Sequence, residues 1–335
     1  MVSRLGLSIP LDGLTLPECV ELACQAEGLG YSDVWTSEIA GADGLSILGA
    51  VAVRTEHIRL GTGVIPVFTR PPALLAMSAA ALQGLSEGRF CLGLGSSSEV
   101  VVNQWMGLEL QSPLTRVRET VEAVRIALLG SKFSFDGETV RLEEFRLQLP
   151  VMEPIPVFLA AMGPRMLGLA GEIGDGVVLS HVALPAIPKL LAHFRAGMES
   201  AGREEDGLEV VQRVGVAIDE DDEVLLPALR RELAGYARTR AYNASFARQG
   251  YESEAQAARD GWERGDSRAA YEAISSKQVG ETYIVGNSQA CRDKLQAYRE
   301  AGVTTPVILP ISVHPNPEER KQRRLRVIEA LAITA

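Results

Sequence analysis

The chain has 335 residues, of which 46% are hydrophobic and 5% aromatic, with a formal net charge of −10 and a mean hydropathy of +0.07. Such a length accommodates one large α/β barrel or two modest domains, and the acidic balance argues against nonspecific binding to nucleic acid or to an anionic membrane. Cys19, Cys24, Cys91 and Cys291 form no CxxC pair, and His57, His181, His193 and His314 do not cluster with them, so neither a metal centre nor a disulfide framework is expected.

Strand-like and helix-like segments alternate along the chain. The opening MVSRLGLSIPLDG enters a first strand, Arg4–Pro10, without a leader-like apolar core, and no apolar stretch reaches membrane-spanning length. A cytoplasmic protein with reduced thiols is the expectation. A helix over Thr15–Leu29 follows, with Thr15 as N-cap and Glu18 three residues on. Ser32–Ser37 reads as a second strand and Leu45–Arg54 as a second helix. From Ile58 to Ser98 the order is strand, Pro-Pro helix start, Ala/Leu-rich helix and strand, the unit that pairs strands in parallel. Thr115–Leu129 has helical periodicity at Val117, Val121, Val124 and Leu128.

Residues 131–150 break the rhythm: Asp136-Gly137 signals a hairpin inside a small excursion. Four further strands are read at Pro156–Ala161, Gly176–Ser180, Leu208–Ile218 and Thr305–Ile311, with helices between them. The acidic run Asp219–Glu223 reads as a solvated loop, about 222–277 as a helical insertion, and the basic Arg320–Arg326 as a surface helix face. Eight strands with intervening helices favour a single (β/α)8 TIM barrel with insertions over the full chain, 1–335, ahead of a doubly wound sheet.

In such a barrel every strand ends at one mouth. The third and fourth strands are glycine-rich there (Gly61, Gly63; Gly93, Gly95), which lets something flat or anionic approach the backbone, or else merely allows tight packing. Ala160-Ala161-Met162-Gly163-Pro164-Arg165 joins small residues, a helix start and an arginine, which makes an anion site or an ordinary βα turn. Glu38 follows the second strand as a carboxylate that handles a proton or forms a structural salt bridge. His181 follows the sixth strand as a second catalytic candidate, although a lone histidine there is more often only a satisfied core residue.

Five segments in order carry a family resemblance: DVWTSE (Asp33–Glu38), LGTGVIPVFTRPP (Leu60–Pro72), GRFCLGLGSSS (Gly88–Ser98), IPVFLAAMGPRMLGLAGEIGDGVVL (Ile155–Leu179) and AGVTTPVILP (Ala301–Pro310). On them the chain resembles the luciferase-like monooxygenase superfamily, and within it the branch that uses the deazaflavin F420. The resemblance implies a cis peptide at Gly63–Val64 in a bulge behind the cofactor ring, with Thr62 beside it. It implies a pocket lined by Gly95, Ser96, Ser97 and Ser98, and a phosphate held by Ala160, Ala161, Met162, Gly163, Pro164 and Arg165. It also implies hydride transfer with a small organic substrate, and a homodimer paired through the helix at Ala73–Leu85. An FMN-dependent monooxygenase is the alternative, and a cofactor-binding relative without turnover is a third. Ile39 stands where sugar-phosphate dehydrogenases of the branch carry a histidine base, and Met106 where many relatives read histidine.

Overall fold

A computed structural model describes residues 4–204 and 207–332. Its strands are β1 (Gly6–Ile9), β2 (Asp33–Thr36), β3 (Arg59–Thr62), β4 (Ile65–Pro66), β5 (Phe90–Gly95), β6 (Phe133–Asp136), β7 (Arg141–Phe145), β8 (Val157–Ala160), β9 (Gly176–Ser180), β10 (Glu209–Ile218), β11 (Ile284–Gly286) and β12 (Thr305–Pro310). Eight of them, in the order β1-β2-β3-β5-β8-β9-β10-β12, form a parallel sheet that closes because β10 pairs with β9 on one side and β12 on the other, while β12 returns to β1. Closure excludes the open, doubly wound alternative.

Several strands are shorter at their ends than the sequence suggests, β9 keeps the bounds read from the sequence, and β11 has no counterpart among the strands read there. β11 lies between the helical insertion and the last βα unit, pairs with the far end of β10 through Val216–Ile218, and is three residues long. The insertion itself is five helices: Asp222–Ala237, Arg240–Arg248, Glu252–Glu263, Ser267–Glu272 and Ser276–Thr282. Their apolar faces share a separate core built on Leu229, Leu233, Phe246 and Tyr283. The Asp219–Glu223 run is only partly solvated. Asp221 caps the first insertion helix, and the Glu220 side chain, 2% exposed, faces Arg323 of the basic C-terminal helix at 3.5 Å.

Local signals account for the helices. Thr15 and Glu18 form a reciprocal capping box at the start of Leu16–Gly28, which satisfies backbone N–H groups left without partners in the first turn. Pro71-Pro72 opens Pro72–Leu85 with φ already set for a helix. After β5 the chain makes a π-helical turn, Val100–Trp105, before the helix Pro113–Leu128.

Alternate residues of the barrel strands point into the lumen. At the N-terminal end Asp33, Arg59 and Glu209 form an ion network; above it Trp35, Cys91, Phe158, Val178, Val211 and Val307 make a buried plug. Trp35 and Phe158 meet edge to face at 5.6 Å. Gly61 exists for this plug: a Cβ there would lie 2.6 Å from the Trp35 indole. At Gly93 a Cβ would fall 1.7 Å from the Thr62 carbonyl oxygen, and at Gly95 2.8 Å from the Val64 side chain. The flat group against Gly61 is thus the protein's own tryptophan. Packing alone is thus sufficient to require glycine at Gly61, Gly93 and Gly95.

The β6–β7 hairpin is pinned to the barrel by one carboxylate. Glu119, on the helix Pro113–Leu128, accepts from the backbone N–H groups of Glu138, Thr139 and Val140 and from the Thr139 hydroxyl, at 2.6–2.9 Å. Burial raises its pKa, but these four donors outweigh burial and hold it below the usual carboxylate value. A depressed folded-state pKa means stabilisation that is fully present above the unfolded value and lost as pH falls through the folded one. Amide exchange at 138–140 should therefore accelerate as the solution is acidified below the ordinary carboxylate range. Glu119→Gln should bring the same acceleration at neutral pH. The four cysteines are unpaired, no described group of His, Cys, Asp or Glu could hold a metal, and no described helix is long and apolar enough to cross a membrane.

Candidate active site at the barrel mouth

Because every barrel strand runs the same way, Pro10, Glu38, Val64, Ser96, Ala161 and His181 all follow the C-terminal ends of their strands and surround one mouth. The peptide bonds Ile9–Pro10 and Gly63–Val64 are cis. The Val64 side chain leans over Gly93 and Gly95 and packs on the lumen plug, so it forms part of the mouth's floor. Ser97 has φ +62, and the Ser98 hydroxyl accepts from Val101 N–H at 3.4 Å. Ile39, Trp105 and Met106 are exposed at 43%, 53% and 47% and give the rim an apolar sector.

Glu38 is committed to a pair. Arg70 donates to its two oxygens at 2.9 and 3.3 Å, Gly44 N–H donates at 3.3 Å, and the same guanidinium bonds Asp43. The Glu38 bond, outweighing burial, raises the Arg70 pKa further, so the cation is permanent. Asp43 in turn caps the helix Gly44–Ala52. These bonds tie the loop after β2 to the loop before Pro72–Leu85.

The turn after β8 is different. Gly163 is the N-cap of Pro164–Ile173 and supplies no side-chain cap, which leaves N–H groups of the first turn open to an anion. Arg165 lies exposed in that turn. A second cation comes from the insertion: the Arg248 guanidinium approaches Gly163, 3.5 Å from where a Cβ would be. No acidic side chain pairs with either arginine among the described residues.

The far side of the mouth holds a small cavity lined by Ser180, His181, Arg213, Glu232, Tyr236 and Tyr283, among others. His181 has φ +54, a left-handed conformation in which its ring can meet the preceding side chain rather than point to the opposite face. Its Nδ1 lies 2.9 Å from the Ser180 hydroxyl and its Nε2 3.4 Å from Glu232. The ring lies against Tyr236 at 4.0 Å, tilted by 42°, and meets Tyr242 edge-on at 5.7 Å. Gln249 bonds the backbone on both sides of Val182 and fixes this loop. Arg213, whose Cα partner across the sheet is Ser180, projects to the same level and donates to Ser8 Oγ at 3.0 Å. Burial raises the Glu232 pKa, but His181, Tyr283 and Arg213 together hold it below the usual range.

The closed parallel barrel, its strands ending at one mouth, places the chain among the (β/α)8 proteins. More narrowly, the chain belongs to the luciferase-like monooxygenase family, whose profile matches residues 4–305, and it is an oxidoreductase of that family. It is 33% identical over 197 residues to a 5,10-methylenetetrahydromethanopterin reductase of Methanolobus tindarius, covering 58% of this chain and 60% of that one. It is 30% identical over 235 residues to an F420-dependent glucose-6-phosphate dehydrogenase of Nakamurella multipartita, covering 66% and 69% respectively. The fold matches that of a coenzyme F420 dependent tetrahydromethanopterin reductase from Methanopyrus kandleri, with a TM-score of 0.81 at 23% identity over 99% of this chain and 98% of the other.

Proposed function

We propose that the protein is an F420-dependent oxidoreductase acting on a small organic substrate. The observation that carries this reading is the turn at Ala160–Arg165: an uncapped helix start with two arginines that have no acidic partner among the described residues fits a phosphate-bearing cofactor. The names of the relatives favour F420 over FMN. In this reading Ala160, Ala161, Met162, Gly163 and Pro164 shape the phosphate cradle, and Arg165 and Arg248 neutralise its charge. Thr62, Gly63 and Val64 support the ring from the floor, and Gly95, Ser96, Ser97 and Ser98 wall the pocket. When bound, the deazaflavin supplies the hydride acceptor or donor; the protein orients, binds and excludes water.

The test compares anaerobic and aerated reactions. An oxidoreductase of this kind oxidises reduced F420 with its organic substrate under nitrogen. A monooxygenase consumes its reduced flavin only when oxygen is admitted, and that outcome would move the protein to the FMN reading.

A homodimer is part of the same proposal. Leu74, Met77 and Leu85, exposed at 41%, 51% and 48%, lie along the outer side of Pro72–Leu85 and give it an apolar face suited to a partner copy. Sedimentation at micromolar concentration should give a dimer, and Met77→Glu should shift it to monomer.

A further inference from the structure

The Glu38 pair leaves the mouth without a proton-handling group after β2, yet the cavity beside β9 contains one that the proposed function does not use. We propose that Ser180, His181 and Glu232 form a proton relay, and that the substrate is an alcohol–carbonyl couple whose oxygen lies between the Ser180 hydroxyl and Arg213. This rests on the oxidoreductase reading and narrows its substrate class.

The geometry sets the direction of the relay. Glu232, an ionised carboxylate, only accepts, so the imidazole carries its proton on Nε2 and offers the Nδ1 lone pair to Ser180. The Ser180 O–H then points at Nδ1, and its own oxygen remains available to a substrate hydroxyl in the cavity. Tyr236 and Tyr242 hold the ring from the insertion, Tyr283 lines the far wall, and Arg213 is the cation at the floor. The Tyr283 hydroxyl is buried without a well-formed hydrogen bond and faces the Glu232 carboxylate, whose charge it helps to hold.

An alcohol–carbonyl couple needs these groups, because hydride transfer at carbon must be matched by proton transfer at oxygen. On oxidation the substrate O–H bond breaks and its proton passes to Ser180 Oγ as the Ser180 proton passes to His181 Nδ1. A bound deazaflavin would supply the hydride acceptor, so that the carbinol C–H bond breaks with its electron pair as the C=O bond forms. The imidazolium is stabilised by Glu232 and returns its proton to solvent. Reduction runs the same steps backwards, with Arg213 holding the carbonyl oxygen. Ser180 and Arg213 touch substrate; Glu232 is a positioning residue.

Two measurements test this. In cofactor-free protein, ¹⁵N imidazole resonances at mildly alkaline pH should show His181 protonated on Nε2 and bare at Nδ1, with the Nδ1 resonance moving in Ser180→Ala. A proton on Nδ1 overturns the relay whether or not F420 binds. The F420-loaded protein is then assayed with propan-2-ol, butan-2-ol, cyclohexanol and benzyl alcohol, and with the matching carbonyls and reduced F420. At least one couple should turn over. Ser180→Ala should lower kcat by about 100-fold, within the range of lost general acid–base catalysis, with Ser180→Thr restoring most of it. Glu232→Gln should displace the pH profile of kcat while F420 affinity stays unchanged. Turnover of no couple by loaded protein, or unchanged kcat in Ser180→Ala, overturns the proposal. Failure of F420 to bind defeats the cofactor reading instead and leaves the imidazole result to decide the relay.

Discussion

Asp33→Ala should destabilise the protein by about 3–5 kcal/mol, the usual consequence of removing one partner from a buried ion pair. The Asp33 side chain is fully buried and accepts from Arg4 at 3.0 Å, from Arg59 at 2.5 Å and from the Ser32 hydroxyl at 2.5 Å. Arg59 is also bound by Glu209 at 2.5 and 2.8 Å, and its guanidinium lies 5.8 and 5.7 Å from the Trp35 and Phe158 rings. Without Asp33 the lumen keeps Arg59 with half of its counter-charge and Arg4 with none. This network closes the end of the barrel opposite the mouth, where side chains serve stability rather than chemistry. Denaturant unfolding should register the loss, while cofactor affinity below the unfolding transition should hold. A loss smaller than about 1 kcal/mol, the range of an exposed pair, would mean that water reaches this floor.

Arg165→Ala and Arg248→Ala should each weaken binding of a phosphate-bearing cofactor by about 1–3 kcal/mol, the cost of losing a charge-assisted hydrogen bond. Both side chains are at the turn and neither supports the core, so thermal stability without cofactor should stay within about 0.5 kcal/mol of the parent. The two losses will not add fully, since both groups answer one anion. Affinity in the parent should fall as salt rises, and less steeply in each variant. The visible absorbance change on binding should be the same at saturation, because ring contacts lie elsewhere. If both variants bind as tightly as the parent, the phosphate is not held at this turn.

Much of the barrel was legible because its signals are local. GDGVVLS marks β9 to the residue, and the Thr15/Glu18 pair announces the first helix through a three-residue spacing. β11 left no such trace: a three-residue strand has no alternation to detect. The sequence left two readings of the glycines open for a physical reason, since the indole that fills the space over Gly61 comes from a neighbouring strand and only the closed barrel brings it there. The site divides the same way. Ala160–Arg165 reads as a turn with a helix start, whereas Arg248 belongs to an insertion helix whose pattern reports only its buried face. His181 was visible as a lone histidine because Glu232 stands 51 residues away, and Arg213 was hidden as one of two charges in a mostly apolar strand. Glu38 stood out correctly as a mouth residue, but its partner Arg70 comes 32 residues later and decides what its carboxylate does.

The most direct test of the account is a side-by-side equilibrium titration of the cofactor-free protein with F420 and with FMN. The account predicts saturable binding of both through the arginine-flanked turn, with F420 tighter by at least about tenfold, or roughly 1.4 kcal/mol. Equal or tighter binding of FMN, or no binding of F420, would contradict it.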